Sequence, residues 1–150
     1  MTSILEGVIK RGTGKGLKDL NLDLAGKTGT TNKNTDTWFI GFTSNMVIGV
    51  YVGHDNPKSL GKYETGSKTA MPIFKEFVKN AVNSYQARPF KVAKNIKMMV
   101  VDEKTGKKAN FRSKKTIIES FKKEKFENIS NTAIYDLNYK ISKNDILKFY

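Results

Sequence analysis

The sequence predicts an α+β fold in which an antiparallel β-meander is flanked by helices and followed by a basic C-terminal tail. Apolar residues recur at helical spacing near the start of the chain and again after residue 69. Between these patterns lie three short segments rich in β-branched and aromatic residues and punctuated by Gly, which is typical of strands. Beyond about residue 86 the apolar residues become sparse, and Lys, Asn, Ser and Glu predominate.

The first helix is predicted to begin near residue 3. Ser3 and Glu6 have the spacing of a capping box, a pair of residues that starts a helix. The apolar residues that share one face of this helix are Ile4, Leu5, Val8 and Ile9. Gly12 suits the end of the helix, and the Gly- and Lys-rich residues 12–19 are interpreted as a loop.

Three strands are predicted at Leu24–Thr31, Thr37–Thr43 and Met46–Val52. The last two segments are apolar on both faces, so we expect strands that are covered from both sides. Only Ser44 and Asn45 separate them, a spacing that is typical of an antiparallel hairpin.

A second helix is predicted from about Thr69 to Ser84, because Pro72 is tolerated in a first turn and an apolar stripe follows. The stripe consists of Ile73, Phe74, Phe77, Val78 and Ala81. The helix–meander–helix unit therefore takes up residues 1–86.

The rest of the chain is expected to be simpler. Residues 87–110 are interpreted as a short extension, in which Lys97–Asp102 has the composition of an edge strand. Residues 111–150 are interpreted as a Lys- and Asn-rich tail that is partly disordered.

The charge of the chain favours anionic partners. There are 27 Lys and Arg residues against 14 Asp and Glu residues, which gives a formal net charge of +13. Nucleic acid, acidic lipid headgroups and acidic wall polymers would all be attracted. The arginines are only Arg11, Arg88 and Arg112, and Lys is the poorer bidentate reader of bases, so no specific nucleic-acid partner is expected.

Several kinds of chemistry are excluded or disfavoured by composition. The chain has no Cys and one His, His54, so disulfides and thiolate metal sites are excluded and no metal or cofactor is expected. His54 and Asp55 are interpreted as a loop pair at a strand end. The aromatic residues of the meander are expected to be core residues and not a base-stacking platform: Trp38, Phe39, Phe42 and Tyr51.

One short motif carries chemistry. Residues 25–32 read AGKTGTTN and contain the triplet Lys-Thr-Gly, one of three motifs of the penicillin-recognising serine enzymes. The triplet alone is a weak signal, because Lys104–Gly106 repeats it without any supporting context.

The surroundings of the first triplet make it specific. Residues 36–43 read DTWFIGFT, residues 50–57 read VYVGHDNP, and Thr65-Gly66 leads into the second predicted helix. In order, spacing and residue type, these segments resemble the transpeptidase domain of bifunctional class A penicillin-binding proteins. The resemblance covers roughly residues 1–106 and is strongest over residues 24–77.

The resemblance implies a partial penicillin-binding-protein or β-lactamase-like fold, in which the triplet strand forms one wall of the active site. Lys27 would be the catalytic ammonium of this wall. Thr28, Gly29 and Thr30 would bind the substrate, a peptidoglycan stem peptide or a β-lactam. The two hydroxyls would hold a carboxylate, Gly29 would let the substrate lie flat, and the Thr30 N–H would be the second oxyanion donor.

The other motifs of the family do not precede Lys27. In the family, the nucleophilic Ser-x-x-Lys and the Ser-x-Asn loop lie upstream of the triplet, and residues 1–26 contain neither. Later matches are attributed to chance: Ser59–Lys62, Ser120–Lys123 and Ser142–Asn144. We therefore expect a truncated or split gene product that is catalytically incomplete unless an N-terminal part complements it.

The same resemblance implies a location at the cytoplasmic membrane, facing the periplasm or cell wall. Because neither a signal nor a membrane anchor is recognisable in the sequence, a cytoplasmic location is the expectation for the chain taken by itself. Two alternative functions stay open: a basic module that binds nucleic acid or anionic surfaces, and a structural domain that docks another wall-synthesis protein.

Overall fold

The computed structural model describes residues 1–82 and 88–123. The chain divides after Phe90 into two compact units, which are described separately. The first contains helix α1 (Thr2–Lys10), a 3₁₀ helix (Lys15–Leu20), strands β1 (Ala25–Thr30), β2 (Asp36–Phe42) and β3 (Val47–Gly53), and helix α2 (Ala70–Ala81). The second contains strands β4 (Ile96–Asp102) and β5 (Thr116–Lys122).

The predicted meander is confirmed. Strands β1, β2 and β3 form an antiparallel sheet in sequence order, and the hairpin between β2 and β3 is present. The register places Lys27 opposite Ile40, and Trp38 between Gly29 and Tyr51. Because side chains alternate along a strand, this register decides which residues of the triplet share a face.

Helices cover one face of the sheet and form the core. Phe39, at the centre of β2, packs its ring 4.7 Å from that of Phe74 on α2. Both side chains are fully buried. The other core residues are Ile9, Leu17, Leu24, Ala70, Met71, Val78 and Val82. The prediction that Phe39 and the stripe residues Phe74 and Val78 are core residues is therefore confirmed.

The opposite face of the sheet is exposed, so the prediction of strands covered from both sides was wrong. Trp38 is 42%, Ile40 is 48% and Tyr51 is 48% exposed. Trp38 and Tyr51 instead pack on each other, with ring centroids 4.8 Å apart. The apolar pattern shows only that both faces suit burial, whereas the helices of the first unit pack on the opposite face, that of Phe39.

Helix α1 begins without its predicted capping box. Met1 is the N-cap residue, and no side chain caps the helix. Ser3 lies inside the helix, so its hydroxyl is not placed to accept hydrogen bonds from the first N–H groups of the helix, which have no partner within it. Glu6 instead forms an ion pair with Lys10 over 3.1 Å.

Helix α2 begins at Ala70, one residue after the predicted start, and ends at Ala81. The predicted end, Ser84, lies outside the described residues. No helix in residues 1–82 or 88–123 is long and apolar enough to cross a membrane.

The second unit is a β-hairpin. Strands β4 and β5 pair antiparallel from Ile96–Lys122 to Asp102–Thr116. Strand β4 occupies the stretch where an edge strand was expected, but β5 falls in the segment interpreted as a tail. That interpretation was wrong for Thr116–Lys122, whose β-branched start was outweighed by the polar composition around it. Residues 124–150 lie outside the described part of the chain.

Candidate active-site strand

The Lys-Thr-Gly triplet lies on β1, at one edge of the sheet. The Thr31 N–H donates to the Asp36 carbonyl over 3.0 Å. In this antiparallel register, hydrogen-bonded and non-hydrogen-bonded pairs alternate, so the backbone groups of Thr28 and Thr30 point away from β2. Among the described residues no strand pairs with this edge, so these N–H and C=O groups take no part in the sheet.

The four predicted site residues point to two different faces. Lys27 and Gly29 lie on the exposed face with Trp38, whereas Thr28 and Thr30 lie on the face that the helices cover. A Cβ atom on Gly29 would come 3.2 Å from the Trp38 Cβ. Gly29 therefore keeps the strand flat beside the indole.

Lys27 places its charge at the open edge. Its side chain is exposed. The Nζ atom donates to the Thr28 carbonyl over 2.9 Å and lies 3.5 Å from the Thr28 Oγ1. The ammonium thus folds back onto a carbonyl that points out of the sheet, where an approaching anion would meet it.

The Thr28 hydroxyl has a partner that the sequence did not reveal. Its Oγ1 lies 3.1 Å from the Thr13 Oγ1, in the connection that follows α1. Thr13 fixes the position of this hydroxyl from 15 residues away. No spacing rule links the two, because the contact depends on how α1 packs against β1.

The Thr30 hydroxyl accepts a hydrogen bond from the Gly66 N–H over 3.0 Å. Because this bond uses a lone pair, the hydroxyl proton stays available for a further acceptor. Gly66 is buried against the β1–β2 pair, and a Cβ there would come 2.6 Å from the Gly29 carbonyl oxygen. Gly66 belongs to the family pattern in the sequence, but its distance of 36 residues from Thr30 gives no sign of this contact.

A second hydroxyl pair holds the same loop. The Thr37 and Thr69 Oγ1 atoms are 2.6 Å apart, and the Thr69 Oγ1 also donates to the Thr65 carbonyl over 2.9 Å. Thr37 is fully buried beneath this contact. The segment from Thr65 to Thr69 is therefore fixed over the strand pair that carries the triplet.

The turn between β1 and β2 is built around Asp36. The Thr35 hydroxyl donates to its Oδ2 over 2.7 Å, and the Tyr51 hydroxyl donates to its Oδ1 over 2.8 Å. These bonds hold the pKa of Asp36 below its usual value, the Thr35 bond contributing most. The same carboxylate raises the pKa of Tyr51. Tyr51 is thereby fixed on the exposed face, next to Trp38.

Comparison with known proteins decides the family. Residues 1–79 match the model of the penicillin binding protein transpeptidase domain. The chain belongs to the penicillin-binding protein transpeptidase family. Residues 24–77, where the resemblance was strongest, lie inside the matched range.

The chain is similar to curated proteins named penicillin-binding protein 1A. The protein of that name from Rickettsia conorii is 46% identical over 136 residues, which are 91% of this chain and 17% of the relative. That from Rickettsia prowazekii is 43% identical over 149 residues, which are 99% of this chain and 18% of the relative. The crystal structure of penicillin-binding protein 1A from Haemophilus influenzae matches with a TM-score of 0.69 and 31% identity, covering 80% of this chain and 19% of that chain.

The chain thus spans less than a fifth of the penicillin-binding proteins that it matches. The family assignment confirms the predicted resemblance and the α+β fold class. It gives no support to the alternative of a basic nucleic-acid-binding module.

The second Lys-Thr-Gly triplet has a different backbone. Lys104–Gly106 forms the turn after β4, where the Asp102 Oδ1 accepts from the Lys104 N–H over 3.1 Å and from the Thr105 N–H over 2.9 Å. Gly106 has a φ of 68°, in the left-handed region that favours glycine. This triplet closes a turn, whereas that of β1 lies within an edge strand.

The two later Ser-x-x-Lys matches that the structure describes lie in elements other than β1. The Ser59 hydroxyl accepts from the Gly61 N–H over 3.2 Å in an exposed loop, and Ser120 lies on β5 in the second unit. Ser142–Asn144 lies outside the described residues. His54 and Asp55 are exposed directly after β3. In residues 1–82 and 88–123, no cluster of His, Asp or Glu is arranged to hold a metal ion.

Proposed function

We propose that this chain forms the Lys-Thr-Gly wall of the active site of a serine D,D-transpeptidase, an enzyme that cross-links peptidoglycan stem peptides. The geometry of β1 carries this proposal. An edge strand presents outward backbone groups at Thr28 and Thr30, a hydroxyl proton on Thr30, and the Lys27 ammonium within 2.9 Å of the Thr28 carbonyl. These are the groups that would hold an acyl donor against a nucleophile.

The proposed roles follow from where each group points. A stem peptide would pair with the open edge of β1 as an additional strand, close to the flat backbone of Gly29. The Thr30 hydroxyl would hold the terminal carboxylate, and Lys27 would attract it. The Thr30 N–H would donate to the oxyanion that forms when a serine attacks the carbonyl, a contribution of about 3 kcal/mol to the transition state.

A β-lactam would occupy the same edge, because it also presents a carbonyl and a carboxylate. The reaction needs a serine within hydrogen-bonding reach of its base and of the oxyanion donors. We propose that this serine comes from a further segment that complements the chain, and that the complemented enzyme works at the outer face of the cytoplasmic membrane. No cofactor is required by this chemistry.

A fluorescent penicillin tests the proposal. The chain would be compared with a fusion in which it replaces the matched region of penicillin-binding protein 1A from Rickettsia conorii, with acylation followed by denaturing gel and intact mass. We expect no adduct on the chain alone and one adduct on the serine that the relative contributes. Lys27→Gln in the fusion should lower the acylation rate by about a hundredfold.

The second triplet supplies a matched control. Lys104→Gln changes the same residue of the same tripeptide in a turn, so it should leave the acylation rate within about twofold of the parent fusion. A stoichiometric adduct on a serine of this chain alone would overturn the proposal. So would equal acylation by the parent fusion and the Lys27 variant.

A further inference from the structure

The connection between β4 and β5 concentrates positive charge. This segment, residues 103–115, is called the basic loop. Its cationic residues are Lys104, Lys107, Lys108, Arg112, Lys114 and Lys115. Its single acidic residue is Glu103, which forms an ion pair with Lys115 over 2.6 Å. The loop therefore carries an excess of about five positive charges, far more than its share of the chain.

Hydrogen bonds hold the basic loop at one end of the hairpin. At its base the Glu103 N–H donates to the Lys115 carbonyl over 3.0 Å. The Asp102 N–H donates to the Lys107 carbonyl over 2.8 Å, so part of the loop runs back along the outer edge of β4. The Asp102 carboxylate binds the turn at Thr105 as well. The cations are thus gathered in one place by the backbone.

An aromatic side chain stands out among these cations. Phe111 is 82% exposed. Packing within the protein therefore does not require an aromatic residue at this position, and a polar residue would serve equally well. The Arg112 guanidinium lies 5.2 Å from the centre of its ring. An exposed aromatic ring within a Lys-rich segment is the composition of segments that lie in the interface of an anionic membrane, where the ring reaches below the headgroups and the amines stay among the phosphates.

The charge pattern favours lipid over nucleic acid. Five of the six cations are Lys, a point charge that suits diffuse attraction to a charged surface better than bidentate recognition of bases. A nucleic acid would account for the lysines, but base-stacking platforms use aromatic rings for successive bases, and the basic loop contains Phe111 alone. A bilayer surface accounts for both.

We propose that the basic loop docks on the surface of an anionic lipid bilayer, with its lysines at the lipid phosphates and the Phe111 ring at the boundary with the acyl chains. This surface belongs to the second unit and does not depend on the proposed transpeptidase chemistry of β1.

Vesicle binding by the full chain tests this inference. The chain would be titrated with phosphatidylglycerol vesicles and with neutral phosphatidylcholine vesicles. We expect binding to the first, weakened by salt, and none to the second. The triple variant Lys104→Gln, Lys107→Gln, Lys114→Gln should lose roughly a hundredfold in affinity. Phe111→Ser should lose about tenfold with its net charge unchanged.

A second triple variant separates the loop from the overall charge. Lys15→Gln, Lys18→Gln, Lys58→Gln removes the same charge from exposed positions of the first unit, so it should retain vesicle affinity within about threefold. Equal losses in the two triple variants would overturn the inference, since net charge alone would then explain binding. Full competition by DNA, together with no effect of Phe111→Ser, would also overturn it in favour of a polyanion.

Discussion

The Gly66 N–H donates to the Thr30 Oγ1 over 3.0 Å, joining a loop to strand β1 across 36 residues. The contact needs a residue without a side chain, because a Cβ on Gly66 would strike the Trp38 carbonyl and lie 2.6 Å from that of Gly29. The position of the Thr30 hydroxyl therefore depends on a glycine far away in sequence.

Gly66→Ala should destabilise the protein by about 1–3 kcal/mol, because the added methyl group forces the loop away from β1. Urea unfolding followed by far-UV circular dichroism would measure the change in midpoint. Gly49→Ala is the matched control, since a Cβ there would meet nothing within 4 Å. Equal effects of the two substitutions would contradict the contact described at Gly66.

Thr30→Val should leave the Gly66 N–H buried without its acceptor, at a cost of about 1–3 kcal/mol. The local readout is the hydrogen exchange of the Gly66 amide, which should be protected in the parent chain and exchange faster in the variant. Thr30→Ser keeps the hydroxyl and should preserve most of the protection. If Thr30→Ser and Thr30→Val exchanged at the same rate, the hydroxyl would not be the acceptor.

Phe74→Ala should cost about 3–5 kcal/mol, since it opens a cavity against the ring of Phe39 in the core beneath the sheet. Phe77→Ala lies on the same helix and removes the same atoms from a side chain that is 49% exposed. It should therefore cost much less. Thermal unfolding of both variants would compare them, and similar losses would argue against α2 packing through Phe74.

Acid should weaken the turn that contains the second triplet. The Thr105 N–H and hydroxyl hold the pKa of Asp102 below its usual value of 3.8. A carboxylate with a lowered pKa stabilises the folded state fully above its unfolded pKa, and this contribution is lost as the pH falls through the folded value. The Thr105 amide resonance should move steeply below about pH 4, and in Asp102→Asn this movement should disappear. A movement that persisted in Asp102→Asn would assign the titration to another group.

Local sequence patterns predicted the elements well where they could be read from a few neighbouring residues. The hairpin around Ser44 and Asn45 and the strand that carries Lys27 belong to this class. The exposure of Trp38 could not be predicted, because it depends on which elements lie over the sheet. The contact from Thr13 to Thr28 and that from Gly66 to Thr30 arise only when distant segments pack together.

Strand β5 shows a further limit. Its residues Thr116, Ile117 and Ile118 favour a strand. Three β-branched residues are nevertheless too short a pattern to predict a strand in a segment whose Lys-rich composition is typical of a tail. Pairing with β4 makes it a strand. Strand periodicity, in contrast, was enough to assign the faces of β1 once the strand was located. It puts Lys27 and Gly29 on one face, and Thr28 and Thr30 on the other.

The two edges of the meander differ in how they would meet another copy of the chain. Strand β1 carries Lys27 beside its outward carbonyl, and a charge at a strand edge opposes pairing with a neighbour. Strand β3 reads VIGVYVG, without a charged residue, and no described residue pairs with its outer edge. Self-association at high concentration should therefore start at β3. Val47 on this strand is 74% exposed, so Val47→Lys is the substitution that should best keep the chain monomeric.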